Sequence, residues 1–559
     1  MSAADPVTTE IIHYGLEAAA DQMRQTLVRT AFSAAIYDVL DFGAALYDRD
    51  IRLLAQAKSM PGFLGTLGFA AAAMVERAGG AETLREGDVL FSTYGYDIGS
   101  HAPDAVVLVP GFFEGELIGY AVIKAHQADI GAKEPYCTDS TDIFQEGVIF
   151  PGVRLYSAGE RNEDIYRTVL ANSRLPQAFA GDLAAQIGSA NVGLREVGRL
   201  LRRYGRDRFT AAVDSLFGRG EQQVRDFLAT IPDGTYRASG AMDDNGVETD
   251  PVPISVTVEV RGSDICIDLT DCADQQRGPV NSPRASTEGG MRLAVLTLAG
   301  VRGAVNDGCF RPITVRTRPG SVLDPLPPAP IFLYHWSWPV AMDLVHRALA
   351  DAVPDAVPAA SGGDMCGVSM WGFDARGALW TNAAPHGIGM GASARGDMTT
   401  PLIFMPSSGF RPPSVESQEL GGHLLVERLG LAPDSGGAGR YRGGLGVDGV
   451  YRTKDPQFLV IMAERTRTRP WGLHGGAPAR ANSVRLRLPD GTEQSVGKAS
   501  GLPVPPGTVI EAASGGGGGF GPAAERDRAA VHRDLREGYV TPEAARRDYP
   551  QVFDEREER

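Results

Sequence analysis

Two histidines in the chain are each followed by an aspartate three positions later. His101 precedes Asp104 in the segment HAPD, and His126 precedes Asp129 in the segment HQAD. Imidazole nitrogens and carboxylate oxygens suit Zn, Mn or Fe, and a carboxylate also offsets part of the charge of the ion. The two motifs therefore predict a divalent metal site to which both contribute. The alternative is that these side chains make hydrogen bonds within local turns.

A further carboxylate, Asp41, directly precedes the apolar segment FGAAL. A carboxylate that is buried there without a partner would be costly, so a cation or a hydrogen-bond donor is expected beside it. The position of Asp41 in the sequence does not by itself assign it to the metal site.

The elements that position these residues are expected to be strands. The segment from Phe42 to Leu54 alternates as strand, turn and strand, and the segments VVLVPGFF and ELIGYAVIKAH are also typical of strands. His101 then lies in a loop just before one strand, and His126 lies at the end of a later one. Adjacent strands would bring the two histidines together.

Helical patterns occur in both halves of the chain. Apolar residues recur at helical spacing from Pro6 to Thr30, and Thr8 or Thr9 is expected to cap this helix. Further helical patterns cover residues 161–230, 284–300 and 523–548.

Strand patterns with a period of two begin at Asp233, with turns at residues 244–246 and 261–263. A clear hairpin with Asp490-Gly491 at its turn appears later, after a Gly-rich stretch that looks poor in strands. The whole pattern predicts a multidomain α+β fold with mixed helices and largely antiparallel sheets. The expected domains are a metal-site domain (1–230), a strand-rich middle domain (231–328), a Gly-rich β domain (329–522) and a helical tail (523–559).

The composition excludes several classes of partner. The chain has 559 residues, and its 54 Lys and Arg against 69 Asp and Glu give a net charge of −15. This acidity argues against binding to nucleic acid or to an anionic membrane. The five cysteines form no Cys-x-x-Cys pair, so reduced thiols and a cytoplasmic location are expected. The N-terminus shows neither the basic nor the apolar region of a signal peptide.

Two Gly-rich segments and one further histidine are weaker candidates for a site. Residues 435–446 could cradle an anion with backbone N–H groups, helped by Arg440 and Arg442, but tight turns between packed strands are favoured. The same preference applies to Gly515–Gly519. His335 lies among aromatic residues, which favours a place in a pocket or in the core over a role as a ligand.

Several longer segments resemble those of the hydantoinase B/oxoprolinase family. LDFGAALYDRDIRLLAQA resembles the family's Asp-Phe-Ser-x-Ala-Leu segment, and GSHAPDAVVL resembles its Gly-Gly-Thr-His-x-x-Asp segment. AHQADIGAKEPYCTDSTDIFQEGVIFPGVRLY resembles its His-His-x-Asp-x-Gly-Gly stretch, which is followed by Gln-Glu-Gly and Pro. NDGCFRPITV, DSGGAGRYRGGLG, SGGGGGFG and REGYVTPEAARRDY follow in the family's order, so the resemblance spans nearly the whole chain.

The resemblance implies a subunit that acts on a small molecule together with a larger, ATP-binding hydantoinase A-like partner, in a hetero-oligomer such as α2β2. It also implies a Zn or Mn site whose ligands are Asp41, His101, Asp104 and His126. Asp129 or Glu146 would then be the catalytic residue that takes a proton.

The family's chemistry leaves three functions open. The favoured one is ATP-dependent hydrolysis of a cyclic amide of hydantoin or lactam type, in which water activated by the metal attacks the phosphorylated substrate. The second is ATP-dependent carboxylation of a ketone of the acetone or acetophenone type. The third is a non-catalytic subunit with a structural metal. Here residues 92–97 (STYGYD) replace the family's Asn-Asp-Pro-Tyr, and Gln127 replaces its second histidine; both changes concern the substrate more than the metal.

Overall fold

The described part of the chain folds into helices and four sheets. The computed structural model describes residues 5–301, 303, 305–363, 366–402, 409 and 411–553. Its helices are α1 (Pro6–Thr30), α2 (Ala34–Tyr37), α3 (Pro61–Leu64), α4 (Leu67–Arg77), α5 (Gly95–Ile98), α6 (Glu163–Ala171), α7 (Pro176–Tyr204), α8 (Arg206–Leu228), α9 (Arg284–Ala299), α10 (Tyr334–Leu349), α11 (Val415–Glu419), α12 (Arg528–Arg536) and α13 (Pro542–Asp548).

The strands lie between residues 42 and 513. They are β1 (Phe42–Asp48), β2 (Leu53–Gln56), β3 (Val89–Ser92), β4 (Asp104–Phe113), β5 (Glu116–His126), β6 (Val153–Ser157), β7 (Glu160–Arg161), β8 (Gly234–Met242), β9 (Val252–Arg261), β10 (Asp264–Asp268), β11 (Ile313–Arg316), β12 (Cys366–Phe373), β13 (Leu379–His386), β14 (Leu424–Leu431), β15 (Val447–Thr453), β16 (Gln457–Met462), β17 (Ser483–Arg487), β18 (Glu493–Ser495), β19 (Lys498–Val504) and β20 (Val509–Ala513).

The sheets are largely antiparallel, and the predicted α+β class is confirmed. The strand orders are β2-β1-β5-β4-β3-β6-β7, β11-β10-β9-β8, β13-β12-β16-β19 and β14-β15-β20-β17-β18. Strand β10 pairs in parallel with β11 and antiparallel with β9.

The seven-stranded sheet separates two hydrophobic clusters. Ile123 and Ala125 of β5 pack with the apolar faces of α1 and α7, whereas Tyr120 and Val122 pack with α4 on the other face. This alternation follows from the period of two in a strand. The sheet is therefore buried on both faces, which holds its strand ends firmly in place.

Helix α1 has the predicted bounds but not the predicted cap. Asp5 accepts hydrogen bonds from the backbone N–H groups of Val7 and Thr8, at 3.0 and 3.3 Å. The expectation that Thr8 or Thr9 caps the helix is therefore wrong. A carboxylate is the better cap here, because it also interacts with the positive end of the helix dipole.

The Gly-rich stretch contains more strand than its pattern indicated. Strands β12 to β16 all precede the predicted hairpin, and they form parts of two sheets. Glycines interrupt the alternation of these strands, as in CGVSMWGF, so the sequence pattern concealed them. The hairpin itself is confirmed: β17 pairs with β18, and Gly491 has a φ of +88° at the turn.

The chain divides into two compact units, each made of several segments. The first comprises residues 1–236, 257–338 and 409–411, and the second comprises residues 237–256, 339–408 and 412–559. The four consecutive domains expected from the sequence stay a prediction. Across the described ranges, no helix has both the length and the apolar character needed to cross a bilayer.

In the second unit, the Gly-rich segments pack backbone against backbone. A Cβ atom added at Gly443 would lie 1.7 Å from the carbonyl oxygen of Gly517, and one added at Gly517 would lie 1.9 Å from that of Met390. Arg442, one of the two arginines of the possible anion cradle, is buried and paired with Asp534 at 3.1 Å. The two segments are therefore packed closely and bonded to each other through their backbones, but residues 515–519 do not form the tight turns that were expected.

Replacing Gly517 by Ala should destabilise the second unit, because the new methyl group would overlap the Met390 carbonyl group and the backbone would have to move. Overpacking of this kind costs about 1–3 kcal/mol or more. Gly430→Ala is the matched control, since nothing lies within 4 Å of a Cβ atom there. Urea unfolding should show a lower free energy of unfolding for Gly517→Ala alone; equal values for the two variants would contradict the close packing.

Candidate metal centre

Three neighbouring strands of the seven-stranded sheet begin or end at the same end of the sheet. Asp104 begins β4 directly opposite His126, the last residue of β5. Strand β1 pairs with the other side of β5, and Asp41 precedes its first residue. His101 lies in the loop between α5 and β4. The two histidines therefore occupy the positions that were predicted for them, a loop before one strand and the end of the next.

His101, Asp104 and His126 form a compact group, called here the His/Asp cluster. Nε2 of His101 lies 3.0 Å from Oδ1 of Asp104 and 3.3 Å from Nδ1 of His126. Nδ1 of His126 lies 2.9 Å from the same Asp104 oxygen. Ligand atoms at about 2.1 Å from a tetrahedral Zn²⁺ ion are about 3.4 Å apart, so the three atoms are close to that spacing.

Asp41 lies at the margin of the His/Asp cluster. Its Oδ2 atom is 3.9 Å from Nδ1 of His126, and its side chain is 15% exposed. Its Oδ1 atom is buried and accepts no hydrogen bond from the described residues. A buried carboxylate oxygen without a donor calls for a cation, so the donor set fits a divalent ion.

Two groups from a distant part of the chain orient the His/Asp cluster. Nδ1 of His101 lies 2.8 Å from the carbonyl oxygen of Phe332. A carbonyl oxygen only accepts, so Nδ1 carries a proton and Nε2 is the nitrogen left to bind an ion in the cluster. The hydroxyl group of Tyr334 donates to Oδ2 of Asp104 at 3.2 Å. Analysis of the sequence missed both residues, and no local pattern marks them.

Charge and burial act against each other at this site. Burial raises the pKa of Asp41 to about 6, because the low-dielectric surroundings disfavour its charge. Burial also acts to raise the pKa of Asp104, but the charges and hydrogen bonds of His101 and His126 hold it well below its usual range. The cluster thus favours a carboxylate at Asp104, the form in which an aspartate binds a metal.

Two partly exposed rings border the His/Asp cluster. Tyr136 lies parallel to His126, with ring centroids 6.4 Å apart and an angle of 10° between the planes. His335 meets His101 edge to face, with centroids 6.4 Å apart. Burial lowers the pKa of His335 to about 3, so its ring is neutral. The group of possible ligand atoms found in the described residues consists of His101, Asp104 and His126, so His335 lies beside the cluster, in line with the preference for a pocket or core position.

Asp129 and Glu146, the two predicted catalytic residues, lie in different surroundings. Both oxygens of Asp129 accept hydrogen bonds from Arg174, one from its side chain and one from its backbone N–H. Glu146 is fully buried and accepts from Ser140 and from the backbone of residues 331 and 332. A proton-accepting role for either residue stays a prediction. In this conformation both oxygens of Asp129 and Oε1 of Glu146 are engaged with these donors, whereas Oε2 of Glu146 is buried and accepts no hydrogen bond from the described residues.

Replacing Glu146 by Gln should flatten the pH dependence of stability. Burial raises the pKa of Glu146 from 4.5 to about 8. The folded state therefore holds this proton more tightly than the unfolded state. The stability that results is fully present below about pH 4.5 and is lost as the pH rises to about 8. Urea unfolding across this window should show wild type losing stability relative to Glu146→Gln, whereas exposed Glu76→Gln should follow wild type. Parallel curves for wild type and Glu146→Gln would contradict the assignment.

The comparison of sequences identifies relatives along the whole chain. The family model for hydantoinase B/oxoprolinase matches residues 5–523. The chain is 30% identical to the beta subunit of caprolactamase from Pseudomonas jessenii, over 99% of this chain and 97% of that protein. It is also 30% identical to the B-type subunit of a putative D-/L-hydantoinase from Pseudomonas sp. (strain NS671), over 99% of this chain and 96% of that protein.

Solved structures also resemble this chain over nearly its whole length. The crystal structure of the ATP-dependent caprolactamase from Pseudomonas jessenii matches with a TM-score of 0.88 and 28% identity, covering 99% of this chain and 97% of that one. The nucleotide-free acetone carboxylase matches with a TM-score of 0.86 over 98% of this chain and 79% of that one; its 20% identity shows a shared fold alone. With the family model matching almost the whole chain, this protein belongs to the hydantoinase B/oxoprolinase family.

Proposed function

We propose that this chain is the metal-binding catalytic subunit of an ATP-dependent enzyme that hydrolyses a cyclic amide. The observation that carries the proposal is the His/Asp cluster, whose three ligand atoms lie within 4.8 Å of one another. Together with Asp41, the cluster offers two imidazoles and two carboxylates, a set that suits Zn or Mn. A divalent ion held there supplies Lewis acidity and lowers the pKa of water for attack on a carbonyl carbon.

The residues of the chain prepare this site in distinct ways. The Phe332 carbonyl group keeps the proton of His101 on Nδ1, and the Tyr334 hydroxyl group holds Asp104 in place. The rings of Tyr136 and His335 lie beside the two imidazoles, with centroids 6.4 Å away in each case. A substrate bound at the cluster would therefore meet aromatic surface, which suits a small and largely apolar ring.

A partner protein completes the proposal. The caprolactamase relative is ATP-dependent, and both named relatives are called subunits. We assign ATP binding here to a hydantoinase A-like partner, in a hetero-oligomer such as α2β2 and in the cytoplasm. A cyclic amide is a poor electrophile, and phosphorylation of its oxygen at the ATP site would activate its carbon for attack by water. The ring nitrogen would then leave as an amine, and a second water would hydrolyse the remaining acyl phosphate to a carboxylate and phosphate.

Co-expression of this chain with its hydantoinase A-like partner tests the reaction. Phosphate release should depend on a hydantoin or a lactam and should be lost in His101→Ala and His126→Ala. His532→Ala, an exposed histidine of α12, is the matched control and should keep full activity. If phosphate were released only with ketones and bicarbonate, the complex would be a carboxylase and not a hydrolase. Full activity in both cluster variants would leave only a structural role for the chain.

A further inference from the structure

The segment that orients the His/Asp cluster is itself held by a buried glutamate. Oε1 of Glu146 accepts hydrogen bonds from the consecutive backbone N–H groups of Ile331 and Phe332, at 2.8 and 2.9 Å. The same oxygen accepts from the hydroxyl group of Ser140 at 2.7 Å. Glu146 is therefore tied to the backbone of this segment, through which it reaches the cluster.

The carbonyl group of Phe332, in the same stretch of backbone, contacts the His/Asp cluster. The carbonyl oxygen of Phe332 lies 2.8 Å from Nδ1 of His101, and the Phe332 ring packs on the imidazole with centroids 4.7 Å apart. Two neighbouring N–H groups bound to one oxygen hold the two peptide units that precede the Phe332 carbonyl group, because each unit is planar and rigid. The peptide unit of that carbonyl group is also held by the Leu333 N–H, which donates to the Pro279 carbonyl oxygen at 2.8 Å. The position of the Phe332 carbonyl group thus depends on Glu146 together with this second hydrogen bond.

We propose that Glu146 is a positioning residue that fixes the tautomer and the orientation of His101 through the backbone of Phe332. The use of this tautomer rests on the proposed metal site, because only a histidine with its proton on Nδ1 presents the Nε2 lone pair to an ion in the cluster. Outer partners of metal-binding histidines commonly have this role. Burial raises the pKa of Glu146 to about 8. Oε1 accepts hydrogen bonds when the carboxyl group is ionised and also when its proton is on Oε2.

Two variants of similar size separate the acceptor oxygen from the volume of the side chain. Glu146→Gln keeps an oxygen for the two N–H groups, whereas Glu146→Met fills the space without one. Nitrogen-15 NMR of the full chain labelled at histidine, assigned with His101→Ala, reports the tautomer of His101 in the metal-free state. Competition with a chromophoric chelator then measures the affinity for Zn²⁺ alone.

Wild type and Glu146→Gln should both keep a proton on Nδ1 of His101. Glu146→Met should lose part of the protonation at Nδ1 and bind Zn²⁺ about 10–100-fold more weakly, the usual effect of losing an outer partner. A wild-type His101 without a proton on Nδ1 would overturn the inference, even if Glu146→Met failed to fold. Unchanged tautomer and affinity in Glu146→Met would also overturn it.

Failure of the proposed function would look different. It would appear as a wild-type chain that binds no Zn²⁺, or one that binds it equally well after His101→Ala. The tautomer spectra are recorded without metal, so they decide the role of Glu146 in either case.

Discussion

Replacing Asp104 by Asn should abolish turnover and weaken metal binding by more than the roughly 100-fold that loss of an outer partner can cost. Asp104 is fully buried, and its Oδ1 atom lies within 3.0 Å of both imidazoles of the cluster. Asparagine preserves the size of the side chain but removes the charge that offsets the ion. Metal affinity and phosphate release by the complex with its hydantoinase A-like partner are the measurements.

Asp129→Asn is the matched control for this variant. Asp129 has the same spacing from its histidine as Asp104 does, and its side chain is also buried, but it pairs with Arg174. Its loss should lower stability while leaving metal affinity within about threefold of wild type, because uncharged Asn still fills the position. Equal loss of metal in the two variants would contradict the assignment of Asp104, and not Asp129, as a metal ligand.

Replacing Arg526 by Met should destabilise the second unit by about 3–5 kcal/mol, the cost of removing one partner from a buried ion pair, here the pair with Asp534. The side chain of Arg526 is 1% exposed. It donates to both oxygens of Asp397, at 2.7 and 2.8 Å, and to Asp534 at 2.7 Å. Without it, the two carboxylates would face each other with Arg442 as the remaining partner of Asp534.

Arg533→Met provides the comparison for the buried arginine. Arg533 lies 3.9 Å from the same Asp397, but its side chain is 55% exposed. Pairs of this kind contribute at most about 1 kcal/mol. Calorimetry of the full chain should therefore show a clear fall in melting temperature for Arg526→Met and little change for Arg533→Met. A fall of similar size in both would argue that burial does not set the strength of this ion pair.

The sequence predicted the parts of the site that depend on neighbouring residues. Alternation in the strands placed His101 before β4 and His126 at the end of β5, and antiparallel pairing of these strands then puts Asp104 opposite His126. Spacing alone could not separate Asp104 from Asp129. The difference arises because Asp104 is part of β4 and pairs with His126, whereas Asp129 lies beyond the end of β5 and accepts a hydrogen bond from Arg174.

The parts that the sequence could not predict depend on contacts between distant residues. Phe332 and Tyr334 lie 231 and 230 positions from their cluster partners, and Glu146 lies 186 positions from Phe332. No periodicity or motif spans such a separation. The strands of the Gly-rich stretch were missed for another reason, since glycines interrupt their alternating pattern. Gly372 and Gly449 leave room for the side chains of Trp380 and His386, which no local pattern could predict.

The metal content of the purified complex tests the central claim most directly. Elemental analysis of this chain with its hydantoinase A-like partner should find about one Zn or Mn ion per chain, as expected for a single set of four ligands. His101→Ala and His126→Ala should each lose that ion, and His532→Ala should keep it. A wild-type complex without a bound transition metal, or full metal content in both cluster variants, would contradict the account.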